Sequence, residues 1–239
     1  MNSEVYIKSM CGRYALNASA SQVIEQFQLV AEEELRNSNR RYEKEVYPTK
    51  IEEVVARINN SNILESKPWG VSKLPINGVP LKDQVNVATI EKLVTSPLWS
   101  KALKKHRLLI PATSYFEWKE VEKYTNEKYE IFSSSQEIFA MAGLNIIYED
   151  SDKKINDCFV IITTEANDKL KSIHHRQPGI IKKENYLSWL KNETINPKEL
   201  IHQFDCNEMD YDLIGSKSKT KKQKNPSNQP TLFDLDKNS

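Results

Sequence analysis

The period of the hydrophobic pattern changes along the chain. In SASQVIEQFQLVAEEELRN, Val23, Ile24, Phe27 and Val30 recur at helical spacing, and Ser19 with Gln22 three positions on has the form of a capping box. One amphipathic helix is predicted there. NRRYEKEVYPTKIEEVVARIN turns from polar to apolar and leads into the tryptophan and proline punctuation of SKPWGVSKLPINGVPLKDQ, which reads as irregular backbone wrapped over a core. SPLWSKALKK predicts a short helix with Ser96 as cap and Pro97 in the first position, followed by HRLLIPA as a strand. YFEWKEV, KYEIFSS, IFAMAGLNIIYED and DCFVIITTEA are aromatic and β-branched runs separated by polar turns, the pattern of antiparallel strands. ENYLSWLKN and NPKELIHQF predict two more short helices. The expected fold is α+β: a single domain with a mostly antiparallel, barrel-like sheet flanked by short helices, and no internal repeat.

From Gly215 onward the composition shifts to Lys, Ser, Asn, Gln and Pro, with no core-forming residues until Leu232 and Phe233. The expected organisation is an N-terminal extension over residues 1–10, absent or removed in the mature protein, a domain over 11–212, and a disordered tail over 213–239. At 239 residues and 38% hydrophobic, the chain can bury a sizeable core. A net charge of +1 gives no global field toward nucleic acid or membrane, so any DNA contact must come from a local basic cluster. Three widely spaced cysteines, Cys11, Cys158 and Cys206, form no CxxC pair, and no histidines stand at metal-ligand spacing. No metal or cofactor is expected, and the compartment is expected to be reducing. Without a long apolar run or a signal peptide, the expected location is cytoplasmic.

Four stretches place reactive groups among residues that would bury them: MCGRY, VNVAT, IPATSYFEWKE, and ITTEAN with IHHRQPGII. Taken singly, each has a plain structural reading. A free cysteine such as Cys11 is commonly a buried thiol. Glu117 between Phe116 and Trp118 would face solvent if the aromatics alternate with it on a strand. His174 reads as a hydrogen-bonded or surface histidine, and Asn86 as a turn residue.

In their order along the chain, MCGRY, PWG, the Asn of VNVAT, LIPATSYFEW, MAGL, FVIITTEAN and IHHRQP resemble the SRAP family, the abasic-site processing proteins also called SOS response-associated peptidases. The resemblance runs from Met10 to about Asp210. It implies a covalent link to an abasic site in single-stranded DNA through an amino-terminal cysteine exposed by removal of the initiator methionine. On this reading Cys11 is the nucleophile, Asn86 positions it, Glu117 is the active-site acid and His174 the active-site histidine. A 1,2-aminothiol suits the aldehyde of an opened abasic sugar, because the amine forms an imine and the thiolate closes a thiazolidine ring. A terminal α-amine has a reference pKa of about 7.7–8.0, against about 10.4 for lysine, so roughly a tenth is nucleophilic at pH 7. Burial of Glu117 against Trp118 is expected to tune it for proton transfer, and His174 to protonate the sugar oxygen as the ring opens.

Arg13 and Arg176 match phosphate-contacting positions of the family. LKKHR adds Lys104, Lys105, His106 and Arg107, equally readable as a solvated helix end with cations at its C-terminus. Trp69 and Trp118 are either core residues or surfaces on which bases stack. The tail sequence NQPTLFDLD has the QxxLF spacing of a sliding-clamp ligand in Gln229, Leu232 and Phe233, or is an ordinary tail. The expected partners are therefore abasic single-stranded DNA and a sliding clamp, with no membrane and a monomeric protein.

Three features depart from the family. Ala88 stands where an arginine is usual, Gln177 stands where a methionine is usual, and nine residues precede Met10. An internal Cys11 would have an amide nitrogen, unable to form an imine. Translation from Met10, self-cleavage between Met10 and Cys11, and loss of crosslinking are the three explanations, in that order of preference. Two rival functions stay open: a cysteine-type autopeptidase using Cys11 and His174, and a single-strand-binding or clamp-adaptor protein that never crosslinks. An accompanying AP-lyase activity is also left open.

Overall fold

The continuous apolar runs in the second half of the chain become strands buried on both faces. The computed structural model describes residues 12–38, 40–76, 79–80, 83–122, 125–191 and 196–218; Met10, Cys11, Gln229, Leu232 and Phe233 lie outside them. In chain order the elements are β1 (Tyr14–Ser19), α1 (Ala20–Phe27), α2 (Glu33–Arg36), β2 (Arg41–Val46), β3 (Ile51–Ile58) and β4 (Ser61–Pro68). Next come β5 (Pro75–Ile76), β6 (Val79–Pro80), β7 (Val87–Thr89), α3 (Pro97–Lys105), β8 (Arg107–Ala112), β9 (Ser114–Glu122) and β10 (Thr125–Ser133). They are followed by β11 (Phe139–Glu149), β12 (Ile155–Glu165), β13 (Arg176–Pro178), β14 (Ile180–Ile181), α4 (Tyr186–Leu190) and β15 (Met209–Ser218).

The larger sheet runs β13-β12-β11-β8-β3-β4, with β14 on β11 and β7 parallel to β12; a five-stranded sheet runs β15-β10-β9-β1-β2, and β5 and β6 form a small ribbon. The chain adopts the expected mostly antiparallel α+β fold, divided into two open sheets instead of one that closes round like a barrel. On one face of the larger sheet, Leu109, Leu144 and Val160 pack with Phe27, Trp99 and Trp189 from the helices. On the other, Ile110, Met141 and Phe159 pack with Tyr115, Ile131 and Met209 of the smaller sheet. The result is three layers. Strands covered on both sides have no reason to alternate polar and apolar residues, which explains runs such as LLIPA and FVII. No helix among the described residues is long and apolar enough to cross a membrane.

Three local expectations are corrected. The first helix has its capping box at Ser19 and Gln22 but stops at Phe27, because Gln28 takes a left-handed conformation with φ 51°. Leu29 then turns into the core, and Val30 N–H donates to Asn62 O at 2.8 Å, leaving Val30 64% exposed instead of on a buried helical face. Of the stretch read as irregular, β2, β3 and the end of β4 are strands, whereas residues 69–74 keep the expected irregular backbone with isolated bridges at Trp69 and Val71. The charged residues of these strands obscure the alternation, as suits strands toward the sheet edges. Finally, β15 pairs with β10 as far as Ser218, so the compositional shift at Gly215 falls inside an edge strand, beyond the boundary expected at 212.

Arg107 ties two helix ends to this framework. Its buried guanidinium donates to Leu103 O at 2.6 Å in α3, to Trp189 O at 2.6 Å in α4, and to Lys191 O just beyond. Carbonyls at helix C-termini lack intrahelical partners, and a cation there satisfies both hydrogen bonding and the helix dipole. Burial lowers the Arg107 pKa to about 10. Arg107→Ala is expected to lower stability by about 2–4 kcal/mol and the melting temperature by about 5–15 °C. Lys104→Ala and Lys105→Ala, at exposed positions of the last turn of α3, should stay within about 0.5 kcal/mol. Thermal denaturation followed by circular dichroism checks the contrast.

Candidate active site

Alternation along β9 decides the fate of its one buried carboxylate. Tyr115 and Glu117 point between the two sheets, at 1% and 3% exposure, while Phe116 and Trp118 take the outer face. Glu117 is therefore internal, and its burial comes from the sheet interior and not from Trp118, as the sequence had suggested. Its Oε1 lies 3.8 Å from Nδ1 of His174, which is also buried.

His174 ends a compact turn. Asn167 starts it, with Oδ1 accepting from Leu170 N at 2.9 Å and Nδ2 donating to Phe204 O at 2.7 Å. His174 N then donates to Leu170 O at 3.0 Å, and Leu170 and Ile173 anchor the turn in the core. Arg176 N–H donates to His174 Nδ1 at 3.1 Å. Nδ1 is equally close, at 3.1 Å, to the Arg176 carbonyl oxygen, so the Arg176 backbone can hold this nitrogen with or without a proton.

Asn86 sits just before β7, beside β12. Its carbonyl accepts from Trp69 Nε1 at 2.8 Å and from Ile161 N at 3.1 Å, and its side-chain Nδ2 is buried with no partner among the described residues. Trp69 is fully buried, with its ring centroid 5.3 Å from that of Tyr14 and 6.0 Å from that of Phe159. It is the brace that holds Asn86, and no ring face is open for a base. The glycine of PWG is required here: Gly70 has φ +106°, and a Cβ would come within 2.3 Å of the Gln84 amide that donates to Trp69 O.

The chain reaches this region along β9. Tyr14 pairs with Tyr115, and Phe116 N donates to Arg13 O at 2.9 Å, so the segment preceding β1 runs antiparallel beside Phe116 toward Glu117. Cys11 lies outside the described residues. Of the other cysteines, Cys158 is buried, its thiol pushed up to about 12 chiefly by desolvation, which makes it a poor nucleophile.

The cations expected at DNA are found in three situations. Arg176 is buried, its guanidinium holding Glu91 through both nitrogens at 2.8 and 3.1 Å and Thr163 O at 2.7 Å. It locks the strand that presents His174 and is not offered to phosphate. LKKHR is split, with Lys104 and Lys105 exposed and Arg107 engaged with helix ends. Arg13 is partly exposed, over the rings of Tyr47 and Trp118 at 5.6 and 5.2 Å. Gln177 is fully buried, and neither side-chain amide atom has a partner among the described residues. Sequence reasoning missed Glu91, Asn167, Glu45 and Lys128. Only Asn167, in TEAN before a turn, carried a local signal; the others act through partners remote in sequence.

The family model for SOS response associated peptidases (SRAP) matches residues 10–217. The chain is 28% identical over 223 residues to the abasic site processing protein YoqW of Bacillus subtilis, covering 91% of this chain and 97% of that protein. It is 27% identical over 213 residues to the abasic site processing protein YobE of the same organism, covering 87% and 95%. The fold is shared with crystal structures from Bacteroides thetaiotaomicron, at TM-score 0.68 and 22% identity, and from Bordetella bronchiseptica, at 0.69 and 15%. These cover 86% of this chain in each case, and 92% and 100% of the respective chains.

The Glu91–Arg176 pair carries a pH signature. Partial burial pulls the Glu91 carboxyl upward, but the bonds and charge of Arg176 outweigh it and hold the group below its ordinary 4.5. A carboxylate depressed in the folded state stabilises it above its unfolded pKa, and that contribution is lost as the pH falls through the folded value. The stability difference between wild type and Glu91→Gln is therefore expected to be complete above pH 4.5 and to shrink steadily in more acid solution. Urea denaturation across that range measures it.

Proposed function

The chain belongs to the SOS response associated peptidase (SRAP) family, and on that premise we propose that it captures abasic sites in single-stranded DNA covalently, through the α-amine and thiol of a mature amino-terminal Cys11. The names of its relatives support a role in processing abasic DNA. The observation that carries the covalent reading is the buried Glu117 and His174 pair, 3.8 Å apart, with Glu117 on the strand to which Arg13, two positions after Cys11 in sequence, is hydrogen-bonded.

The neutral amine of Cys11 attacks C1′ of the ring-opened sugar, the carbonyl π-electrons moving to oxygen to give a carbinolamine. Glu117 takes the proton that the nitrogen sheds and returns it to the departing hydroxyl, so that water leaves and an imine forms. The Cys11 sulfur then adds to the imine carbon, the nitrogen takes up a proton, and the thiazolidine ring closes with no net change in oxidation state. His174, with its ring protonated and Nδ1–H held at the Arg176 carbonyl, supports the preceding ring opening by giving a proton to the sugar ring oxygen as the ring C–O bond breaks and the C1′ hydroxyl releases its proton to form the aldehyde. Asn86, its carbonyl fixed by Trp69 and Ile161, offers its side-chain amide as a donor to Cys11 or to the sugar.

Incubation with an abasic single-stranded oligonucleotide, followed by a denaturing gel and mass spectrometry of the protein's amino terminus, tests the proposal. Wild type should give a heat-resistant shifted band and an amino terminus at Cys11, and Cys11→Ala should give no band. Glu117→Gln should slow capture by about 10²–10⁴-fold. A shifted band formed equally fast by Glu117→Gln would end its proton-transfer role, and a Cys11→Ala protein that still crosslinks would end the proposal itself.

A further inference from the structure

The outer face of the five-stranded sheet carries a second constellation, on the side of β9 opposite Glu117. Arg13 lies over Trp118 and Tyr47, and Lys128 of β10 lies over Phe116 and Trp118, with Nζ 4.1 and 5.7 Å from the ring centroids. Both cations converge on one carboxylate oxygen: Glu45 Oε1 accepts from Arg13 at 3.3 Å and from Lys128 in a shorter contact. Strand register requires this arrangement. Lys128 faces Trp118 across β10 and β9, and Arg13 follows beside Phe116, so the two cations occupy one outward row that Glu45 meets from β2. Partial burial raises the Glu45 carboxyl, but Lys128 and Arg13 overcome this and hold it below its ordinary value. Glu130, also on this face, is engaged by Ser114 Oγ at 2.6 Å.

Two cations held on aromatic faces and sharing a single anionic oxygen at the protein surface form an environment that a phosphodiester oxygen can enter in place of the carboxylate. Resting on the DNA-binding reading above, in which Arg13 already matches a phosphate-contacting position, we propose that Lys128 completes that backbone-phosphate site for single-stranded DNA and that Glu45 occupies it in the free protein as an internal competitor. Phosphate and carboxylate are alternatives for the same donors, so strand binding must displace Glu45. The lone charge at position 45 thus sets affinity for undamaged strand below what the two cations alone would give, favouring residence at lesions that also react with Cys11.

Equilibrium binding of an undamaged single-stranded oligonucleotide to the full chain, over a salt series, provides the test. Glu45→Gln leaves both cations and adds one net positive charge to this face, so it should tighten binding by about 2- to 5-fold, the scale of an exposed ion pair. Lys128→Ala should weaken binding and reduce the slope of log K against log salt by about 0.7, the value of one phosphate contact on a single strand. Combining the two should remove the gain from Glu45→Gln. A Glu45→Gln protein that binds equally or more weakly would show that the carboxylate supports the site instead of competing for it and would overturn the proposal. An unchanged salt slope for Lys128→Ala would do the same. Because the readout is non-covalent, failure of covalent capture bears on the crosslinking reading alone, while absence of wild-type binding overturns this one.

Discussion

Burial of the larger sheet on both faces is the constraint from which the other features follow. β8, β11 and β12 carry apolar side chains toward the helices and toward the smaller sheet alike, so neither covering layer can be lost without exposing a core. The smaller sheet is held against the larger by Tyr115, Ile131 and Met209, and the seam between the sheets is where a polar group can be both buried and positioned. Glu117 lies in that seam because it shares the inward face of β9 with Tyr115. His174 reaches it because Leu170 and Ile173 pin its turn to the same core.

A buried carboxylate and histidine keep a fixed geometry only in rigid surroundings, and the structure supplies these through backbone groups. The Asn86 carbonyl is held by an indole N–H and a strand N–H, and His174 Nδ1 by the backbone of Arg176. Arg176 is in turn clamped by Glu91 and Thr163. Each support is a directional bond in a water-poor interior, where loss of one partner leaves the other unsatisfied. Arg176 is thus tied to the geometry of the site, and its charge is already balanced.

The outer face of β9 obeys a different rule. There the charges are accessible and weakly worth their contacts in water, so their arrangement is suited to recognition more than to stability. One strand thus presents two different surfaces by alternation: its inward side carries Glu117 of the buried pair, and its outward side the aromatic and cationic surface.

Several features were legible in the sequence because they are local or because an ordered series of motifs carries them. The capping box at Ser19, the α3 segment behind Pro97, the apolar strands from Leu108 onward and the family itself are of this kind. Strands β2 to β4 were hidden because their charged residues break the alternation, and the early stop of α1 because a contact with Asn62 draws the chain away. The nature of each arginine was also beyond the sequence. Arg107, Arg176 and Arg13 are chemically identical in the chain, yet one satisfies helix carbonyls, one neutralises Glu91, and one lies on Trp118 beside Glu45. The sequence by itself determined which reactive groups are present and in what order. Only the tertiary structure decided which face of β9 each group took and which charge became its partner, because those outcomes depend on residues brought together from distant parts of the chain.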